Sequence, residues 1–126
     1  MEQKTFSTRS RLNSFGFAFK GILKFFQQEQ NARLHLVATL IVFAASIFFD
    51  VSNVEMVALI IVTGFVWAAE IFNTVVERIM DFISTERNSK IELIKDMAAG
   101  AVLVAAITAL VTGAIVFIPK LFLYAL

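Results

Sequence analysis

Apolar residues occur along this chain in three long runs, and short polar stretches separate them. The first run covers residues 32–49 with four polar or charged side chains, and the third covers residues 97–118 with no charge. The second begins at residue 54, and acidic side chains enter it after residues 56–69. A helix needs roughly 20 residues to cross an apolar layer of about 30 Å. We therefore predict transmembrane helices over 32–49, 54–80 and 97–118.

The segment before the first run, residues 1–31, has a different pattern. Apolar side chains recur in it at helical spacing and define one face: Phe15, Phe19, Ile22, Leu23 and Phe26. Polar side chains lie on the opposite face: Lys20, Lys24 and Gln27. A helix with one apolar and one basic face is typical of the membrane interface. We predict an interfacial helix here, and because it lacks a signal peptide's compact apolar core we expect it to stay in the mature chain.

Composition supports a membrane location and narrows the possible chemistry. The chain has 126 residues, of which 59% are hydrophobic and 17% charged, and its mean hydropathy is +0.81. This length fits one domain, residues 1–126. The net charge of +1 provides no basic field, so we expect no nucleic-acid partner. The absence of cysteine excludes disulfides and thiolate metal sites.

The distribution of Lys and Arg predicts the orientation. Six lie at or before the start of the first run: Lys4, Arg9, Arg11, Lys20, Lys24 and Arg33. Four lie around the loop before the third run: Arg78, Arg87, Lys90 and Lys95. The turn 50–55 contains none, and the segment near the C-terminus contains only Lys120. Positive residues accumulate on the cytoplasmic side of membrane proteins. We therefore expect the N-terminus and the loop between the second and third helices to be cytoplasmic.

Four polar residues follow one another on the second predicted helix. Glu70, Asn73, Glu77 and Asp81, which we call the polar ladder, lie at about 0°, −60°, −20° and +20° around the helix axis. They occupy an arc of roughly 80° and a height of about 16 Å, near the cytoplasmic boundary. Acidic groups at membrane depth usually face a protein interior or a functional cavity. We expect this face to be shielded from lipid.

Three interpretations of the polar ladder are open from its residue types. It could serve packing alone, through hydrogen bonds or pairs with Arg33 and Arg78. A proton or cation pathway is a second possibility, but residues 56–69 offer only Thr63 to continue it. The third is a reaction at the interface, in which carboxylates hold Mg²⁺ against nucleotide phosphates and a deeper Glu accepts a proton from a lipid hydroxyl. The chain contains no Walker A motif and no kinase glycine-rich loop.

Two motifs carry a resemblance to a known family. The stretch "AEIFNTVVERIMD" resembles the pattern E-x-x-N-T-x-x-E-x-x-x-D of the prokaryotic diacylglycerol kinases, and "KDMAAGAVLVAA" resembles their K-D-x-x-x-x-A-V. The stretch "QEQNAR" before the first run and the order of three spans agree with that family. The resemblance implies an all-α integral membrane protein of the bacterial cytoplasmic membrane. It also implies a homotrimer with active sites between protomers, ATP with Mg²⁺ as donor, and a lipid hydroxyl as acceptor.

The resemblance also implies roles for individual residues. Glu70 matches the general base, Asn73 and Lys95 match polar catalytic positions, and Glu29 and Glu77 match the carboxylates that hold Mg²⁺. The expected nucleotide-binding positions are Arg9, Arg11, Glu29, Arg33, Asp81, Lys95 and Asp96. From residue type alone, Lys95 and Asp96 could equally anchor and cap the start of the third helix.

Several details bear on the branch of the family and on assembly. Ala98, Ala99 and Gly100 after "KDM", the ending "IVFIPKL" and His35 resemble the undecaprenol kinases. Undecaprenol is therefore the preferred acceptor, with diacylglycerol as the alternative and a non-enzymatic assembly protein or small transporter as less favoured classes.

His35, on an otherwise apolar helix, is expected to be a packed hydrogen-bonding residue. We expect Pro119 to end the third helix. The small-residue stripe, which is Ala101, Ala105, Ala109 and Gly113, is expected to allow close helix approach in a trimer.

Overall fold

The computed structural model describes residues 8–125, with side chains from residue 11 onward, and folds them into four helices. Helix α1 covers Thr8–Gln28, α2 covers Gln30–Phe48, α3 covers Asn53–Ile83 and α4 covers Ser89–Ala125. Every regular element within residues 8–125 is an α-helix. The predicted all-α fold is confirmed.

Three of the helices have the properties of membrane spans. Helices α2, α3 and α4 are each long and apolar enough to cross a membrane. Among the described residues only six apolar side chains are buried, while most large apolar side chains on these helices are exposed. A protein in water would hide such a surface, because exposing it to water is unfavourable. The prediction of a membrane protein with three apolar helices able to span is confirmed.

The chain divides into two compact units, with the boundary between Leu34 and His35. In the described part of the first unit, the Glu29 backbone N–H donates to the Phe25 carbonyl over 2.9 Å. The Arg33 Nη2 atom donates to the Gln27 carbonyl over 3.0 Å. The first bond closes the end of α1, and the second joins α1 to the first turn of α2. Several large apolar side chains of α1, Phe15 and Phe19 among them, are exposed.

In the second unit, helices α3 and α4 pack against each other, and α3 begins at a capping box. The Glu55 backbone N–H donates to Ser52 Oγ over 3.3 Å, and the Ser52 N–H donates to Glu55 Oε2 over 2.7 Å. This exchange satisfies two backbone donors at the start of the helix. Asp50 in the preceding turn has a φ of 48°, a left-handed conformation that aspartate tolerates better than most residues.

Helix α4 does not end at Pro119, so that expectation is wrong. The helix continues to Ala125, and the Lys120 Nζ atom lies 3.1 Å from Glu55 Oε2 at the start of α3. Proline removes one N–H bond and crowds the preceding turn, but its fixed φ suits a helix. In an apolar environment the remaining backbone groups have no water to bond, which favours continuing the helix through the proline.

The small-residue stripe lies on α4 and is partly used within the chain. Ala105 is fully buried, Ala109 and Gly113 are half-buried, and Ala101 is exposed. Its middle therefore takes part in packing inside one protomer. The role of the stripe in a trimer stays a prediction.

Candidate functional site

The polar ladder of α3 runs from a buried end to an exposed end. Glu70 is 6% exposed, Asn73 and Glu77 are half-buried, and Asp81 is exposed. Each group is bonded within residues 35–125, but to a different kind of partner. The exposure of the ladder thus increases from Glu70 towards the loop between α3 and α4.

At the buried end, Glu70 is bonded to a histidine of another helix. His35 Nε2 on α2 lies 2.7 Å from Glu70 Oε1. Two acceptors do not approach so closely, so one proton lies between the nitrogen and the oxygen. A hydrogen bond that includes a charged partner is stronger than one between neutral groups. The buried carboxyl group is therefore held at one of its two oxygens.

The histidine is itself held by its neighbours on two helices. Thr39 Oγ1 donates to the His35 carbonyl over 2.7 Å, and Trp67 Nε1 donates to Thr39 Oγ1 over 3.1 Å. The His35 and Trp67 rings meet edge to face, with centroids 6.1 Å apart and planes at 68°. Two residues one turn apart on α2 thus face two residues one turn apart on α3. The Trp67 ring thus limits the space beside the imidazole, whereas the Thr39 bond reaches the backbone of His35.

One turn further along α3, Asn73 and Glu77 are bonded to each other. Asn73 Nδ2 donates to Glu77 Oε1 over 3.2 Å. Within the described residues, Asn73 Oδ1 is the one buried side-chain polar atom without a hydrogen-bond partner. An unsatisfied buried oxygen needs an explanation, such as a ligand or an ion. Carboxylate and amide oxygens are hard donors of the type that Mg²⁺ and Ca²⁺ prefer.

At the exposed end, α3 is joined to α4. Lys95 Nζ donates to Asp81 Oδ1, and both residues line a cavity of about 380 Å³ at the loop between the helices. Arg87 Nε donates to Glu92 Oε1 over 2.9 Å in the same region. Charges of both signs therefore surround an opening next to the ladder. Asp96 is exposed at the start of α4.

A second cavity, of about 260 Å³, lies between α2, α3 and α4. Its lining combines polar groups with small apolar side chains, including His35, Thr39, Thr63, Trp67, Ala106 and Ala109. The imidazole that holds Glu70 therefore also borders a largely apolar space.

The remaining predicted site residues lie in the first unit. Glu29 is half-buried and Arg33 is exposed and bonded to the Gln27 carbonyl. Arg11 is exposed on α1, whereas the side chain of Arg9 falls outside the described residues. The expected grouping of these four residues with the polar ladder stays a prediction. Among the described residues, no three His, Asp or Glu side chains lie together in a group that could hold a metal ion.

Three residues of this region were not among the predicted site residues. His35 was expected to be a packed hydrogen-bonding residue, which is confirmed, but its partner was not foreseen. No role was predicted for Trp67 or Thr39. A sequence signal did exist, since the only histidine lies on an apolar helix and so requires a buried partner. Identifying Glu70 as that partner required knowing which residues of α2 and α3 are in contact, and the sequence pattern does not give this.

Three apolar helices that can span a membrane, with a cluster of polar side chains that runs from a buried to an exposed end, indicate a membrane protein. Residues 16–117 match the family model of prokaryotic diacylglycerol kinase. The chain belongs to the prokaryotic diacylglycerol kinase family, and the predicted family is confirmed.

Three named relatives are 30–31% identical to this chain, and the first two are also similar to it in length. An undecaprenol kinase of Bacillus subtilis (strain 168) is 31% identical over 117 residues, covering 90% of this chain and 95% of the relative. A diacylglycerol kinase of Escherichia coli (strain K12) is 31% identical over 104 residues, covering 82% of this chain and 85% of the relative. A diacylglycerol kinase of Synechocystis sp. is 30% identical over 111 residues, covering 87% of this chain and 63% of the relative. The relatives are thus lipid kinases, which confirms the predicted class of a phosphotransferase with an alcohol acceptor.

The family also fixes the type of substrates in general terms. A kinase requires a nucleotide phosphoryl donor, and a lipid kinase requires a lipid acceptor. Both groups of relatives are about equally similar to this chain.

Proposed function

We propose that this protein transfers the γ-phosphoryl group of ATP, in the presence of Mg²⁺, to the hydroxyl of a membrane lipid, with undecaprenol as the preferred acceptor. The observation that carries this proposal is the buried carboxyl group of Glu70, bonded at one oxygen and placed at the inner end of the polar ladder. A carboxylate so placed is suited to meet a hydroxyl group from the membrane. The exposed end of the ladder is suited to meet the nucleotide.

In the proposed reaction Glu70 acts as the general base. It accepts the proton of the lipid hydroxyl as the hydroxyl oxygen forms a bond to the γ-phosphorus. The bond from that phosphorus to the oxygen bridging to the β-phosphate breaks, and ADP leaves with the electron pair. Phosphoryl transfer depends mainly on positioning and charge stabilisation. Asn73 lies one turn from the base and is placed to orient the reacting groups.

Glu77 and Glu29 are the residues that we propose to hold Mg²⁺. The fit rests on the oxygen donors at this level of α3, where the Glu77 carboxylate and the unsatisfied Asn73 Oδ1 lie together. Mg²⁺ typically binds one or two protein carboxylates together with substrate phosphates. The ion would supply positive charge for the phosphates during transfer.

The nucleotide would bind at the exposed end of the ladder. Lys95 is proposed to contact the phosphates, after exchanging its bond to Asp81 for one to the nucleotide. Asp81 and Asp96 would bind the nucleotide or the metal, and the basic residues Arg9, Arg11 and Arg33 with Glu29 would complete the site from the N-terminal segment. These roles come from the family resemblance and from the mixed charges around the loop cavity.

The proposed setting is the bacterial cytoplasmic membrane, with the N-terminus and the α3–α4 loop in the cytoplasm. There, α1 would lie along the membrane surface, and three chains would assemble into a trimer with shared active sites. Support comes from the exposed apolar side chains of the helices and from the exposed member of the small-residue stripe, Ala101. Lipid or neighbouring protomers would cover these surfaces.

A lipid panel tests the proposed function. The full-length protein is placed in bilayers with labelled ATP and Mg²⁺, and separately with undecaprenol, diacylglycerol or a phospholipid without a free hydroxyl. We expect label in undecaprenyl monophosphate, less in phosphatidic acid and none in the third case. More phosphatidic acid than undecaprenyl monophosphate would reverse the acceptor assignment. Absence of transfer to every lipid would overturn the kinase proposal.

A charge swap tests the role of Lys95. In the double variant Lys95→Asp and Asp81→Lys, the bond between α3 and α4 can re-form, while the cation proposed for the phosphates has moved. We expect KM for ATP to rise about tenfold, which corresponds to losing one charge-assisted hydrogen bond. Thermal unfolding should change little, because exposed ion pairs contribute only about 0–1 kcal/mol. An unchanged KM for ATP in the swap would show that Lys95 serves only to join the helices.

A further inference from the structure

His35 has a part in the reaction that the sequence comparison does not assign. We propose that His35 is the positioning residue of Glu70: its ring nitrogen fixes one carboxylate oxygen, so that the other faces the acceptor hydroxyl. This inference rests on the proposed function, because it assumes that Glu70 accepts the proton of the lipid. It concerns a residue outside the predicted site.

The two oxygens of Glu70 have different surroundings. Oε1 lies 2.7 Å from His35 Nε2, and within residues 11–125 no bond to Oε2 is found. When Glu70 is ionised, the shared proton must lie on Nε2, because the carboxylate provides only acceptors. His35 then donates to Oε1 and leaves Oε2 as the oxygen that accepts the hydroxyl proton. When Glu70 accepts that proton, the net charge of the His35–Glu70 pair changes from −1 to zero. The imidazole keeps its own proton throughout.

The imidazole also contacts a residue of α3 other than Glu70. The Trp67 ring lies edge to face against it, and the indole N–H donates to Thr39, whose hydroxyl donates to the His35 carbonyl. A side chain that must hold a reacting group in a set direction requires such support, since errors of about 1 Å lower rates strongly. The same ring borders the cavity between α2, α3 and α4, a space into which an apolar part of the acceptor could extend.

A purely structural role for His35 makes different predictions. If the bond only satisfied the polar groups of a buried glutamate and a half-buried histidine, its loss would lower stability and would reduce measured activity through the amount of folded protein. If His35 orients Glu70, its loss lowers kcat for folded protein and leaves KM for ATP unchanged. The effect should then depend on the presence of Glu70.

Two substitutions of His35 separate these cases. His35→Leu removes the donor with a side chain of comparable size, whereas His35→Gln keeps an N–H donor that can reach Glu70. We expect kcat to fall about tenfold in the leucine variant, with KM for ATP unchanged, and the glutamine variant to recover most of the rate. The control is Ser46→Ala on the same helix, which removes a bond from Ser46 Oγ to the Val42 carbonyl. This control should leave kcat unchanged.

A double variant provides the decisive test. All proteins are assayed as full-length chains in bilayers with MgATP and with the lipid that wild type phosphorylates, and kcat is normalised to folded protein. If His35 acts through Glu70, then His35→Leu combined with Glu70→Gln is no slower than Glu70→Gln alone. Multiplied losses would overturn the inference, and so would a leucine variant with wild-type kcat. Should the leucine variant not fold, a glutamine variant as slow as Glu70→Gln would overturn it as well.

The wild-type assay keeps the two hypotheses apart. Wild-type protein that transfers phosphate to no lipid removes the proposed function, and with it the role of His35. Wild-type transfer together with an unchanged His35→Leu variant removes the role of His35 alone.

Discussion

Replacing Glu70 by Gln is expected to lower kcat by roughly 10²–10⁴-fold, the range typical of general acid–base catalysis. Glutamine retains the size of the side chain and an acceptor for His35 Nε2, but it cannot take up the hydroxyl proton. Because the change leaves the exposed end of the ladder intact, KM for ATP should remain within about threefold of wild type, a difference below the 1.4 kcal/mol that corresponds to tenfold. The measurement is label transfer from ATP to the accepted lipid.

The chain offers a matched control for this substitution. Glu55 lies on the same helix, pairs with Lys120 and closes the capping box at Ser52. Glutamine serves in a capping box as well as glutamate does, so Glu55→Gln makes the same chemical change away from the site. Wild-type kcat is expected for it. A Glu70→Gln protein as fast as this control would remove Glu70 from the role of base.

The helices could be predicted from the sequence because lipid and backbone impose simple requirements. Long apolar runs indicated α2, α3 and α4, and the polar turn between the first two runs contained the capping residues Ser52 and Glu55. The extent of α4 was less predictable. The expectation for Pro119 applied a rule for helices in water, whereas the apolar surroundings of α4 favour continued backbone bonding.

The candidate site was predictable in part for a related reason. The helical period placed Glu70, Asn73, Glu77 and Asp81 on one face, and the structure gives this face a buried end and an exposed end. The partners of these residues did not follow from the period. His35 is 35 residues from Glu70, and Lys95 is 14 residues from Asp81, so both pairs depend on how helices meet. Periodicity along one helix contains no information about its neighbours.

The bonding of the ladder is compatible with a face that serves both packing and the proposed chemistry. Glu70 is bonded to α2 and Asp81 to α4, while Asn73 and Glu77 are bonded to each other and retain an unsatisfied oxygen. The two ends therefore join helices. The middle contains oxygen atoms that could act as metal ligands, and one of them, Asn73 Oδ1, has no hydrogen-bond partner among the described residues. This arrangement favours placing the proposed metal at the middle of the ladder. Glu77 is the carboxylate at that level.

Replacing Glu77 by Gln is expected to raise the Mg²⁺ concentration for half-maximal transfer by roughly 10–100-fold, as for other losses of groups that support a bound metal. Glutamine can still accept the bond from Asn73 Nδ2, so the local packing should persist, but the negative charge that attracts the ion is lost. The measurements are an Mg²⁺ titration of lipid phosphorylation and binding of paramagnetic Mn²⁺ with a non-hydrolysable ATP analogue. Glu55→Gln again serves as the control. Identical metal titrations in the two variants would exclude Glu77 as a ligand, because a carboxylate that binds the ion cannot be neutralised without weakening its affinity.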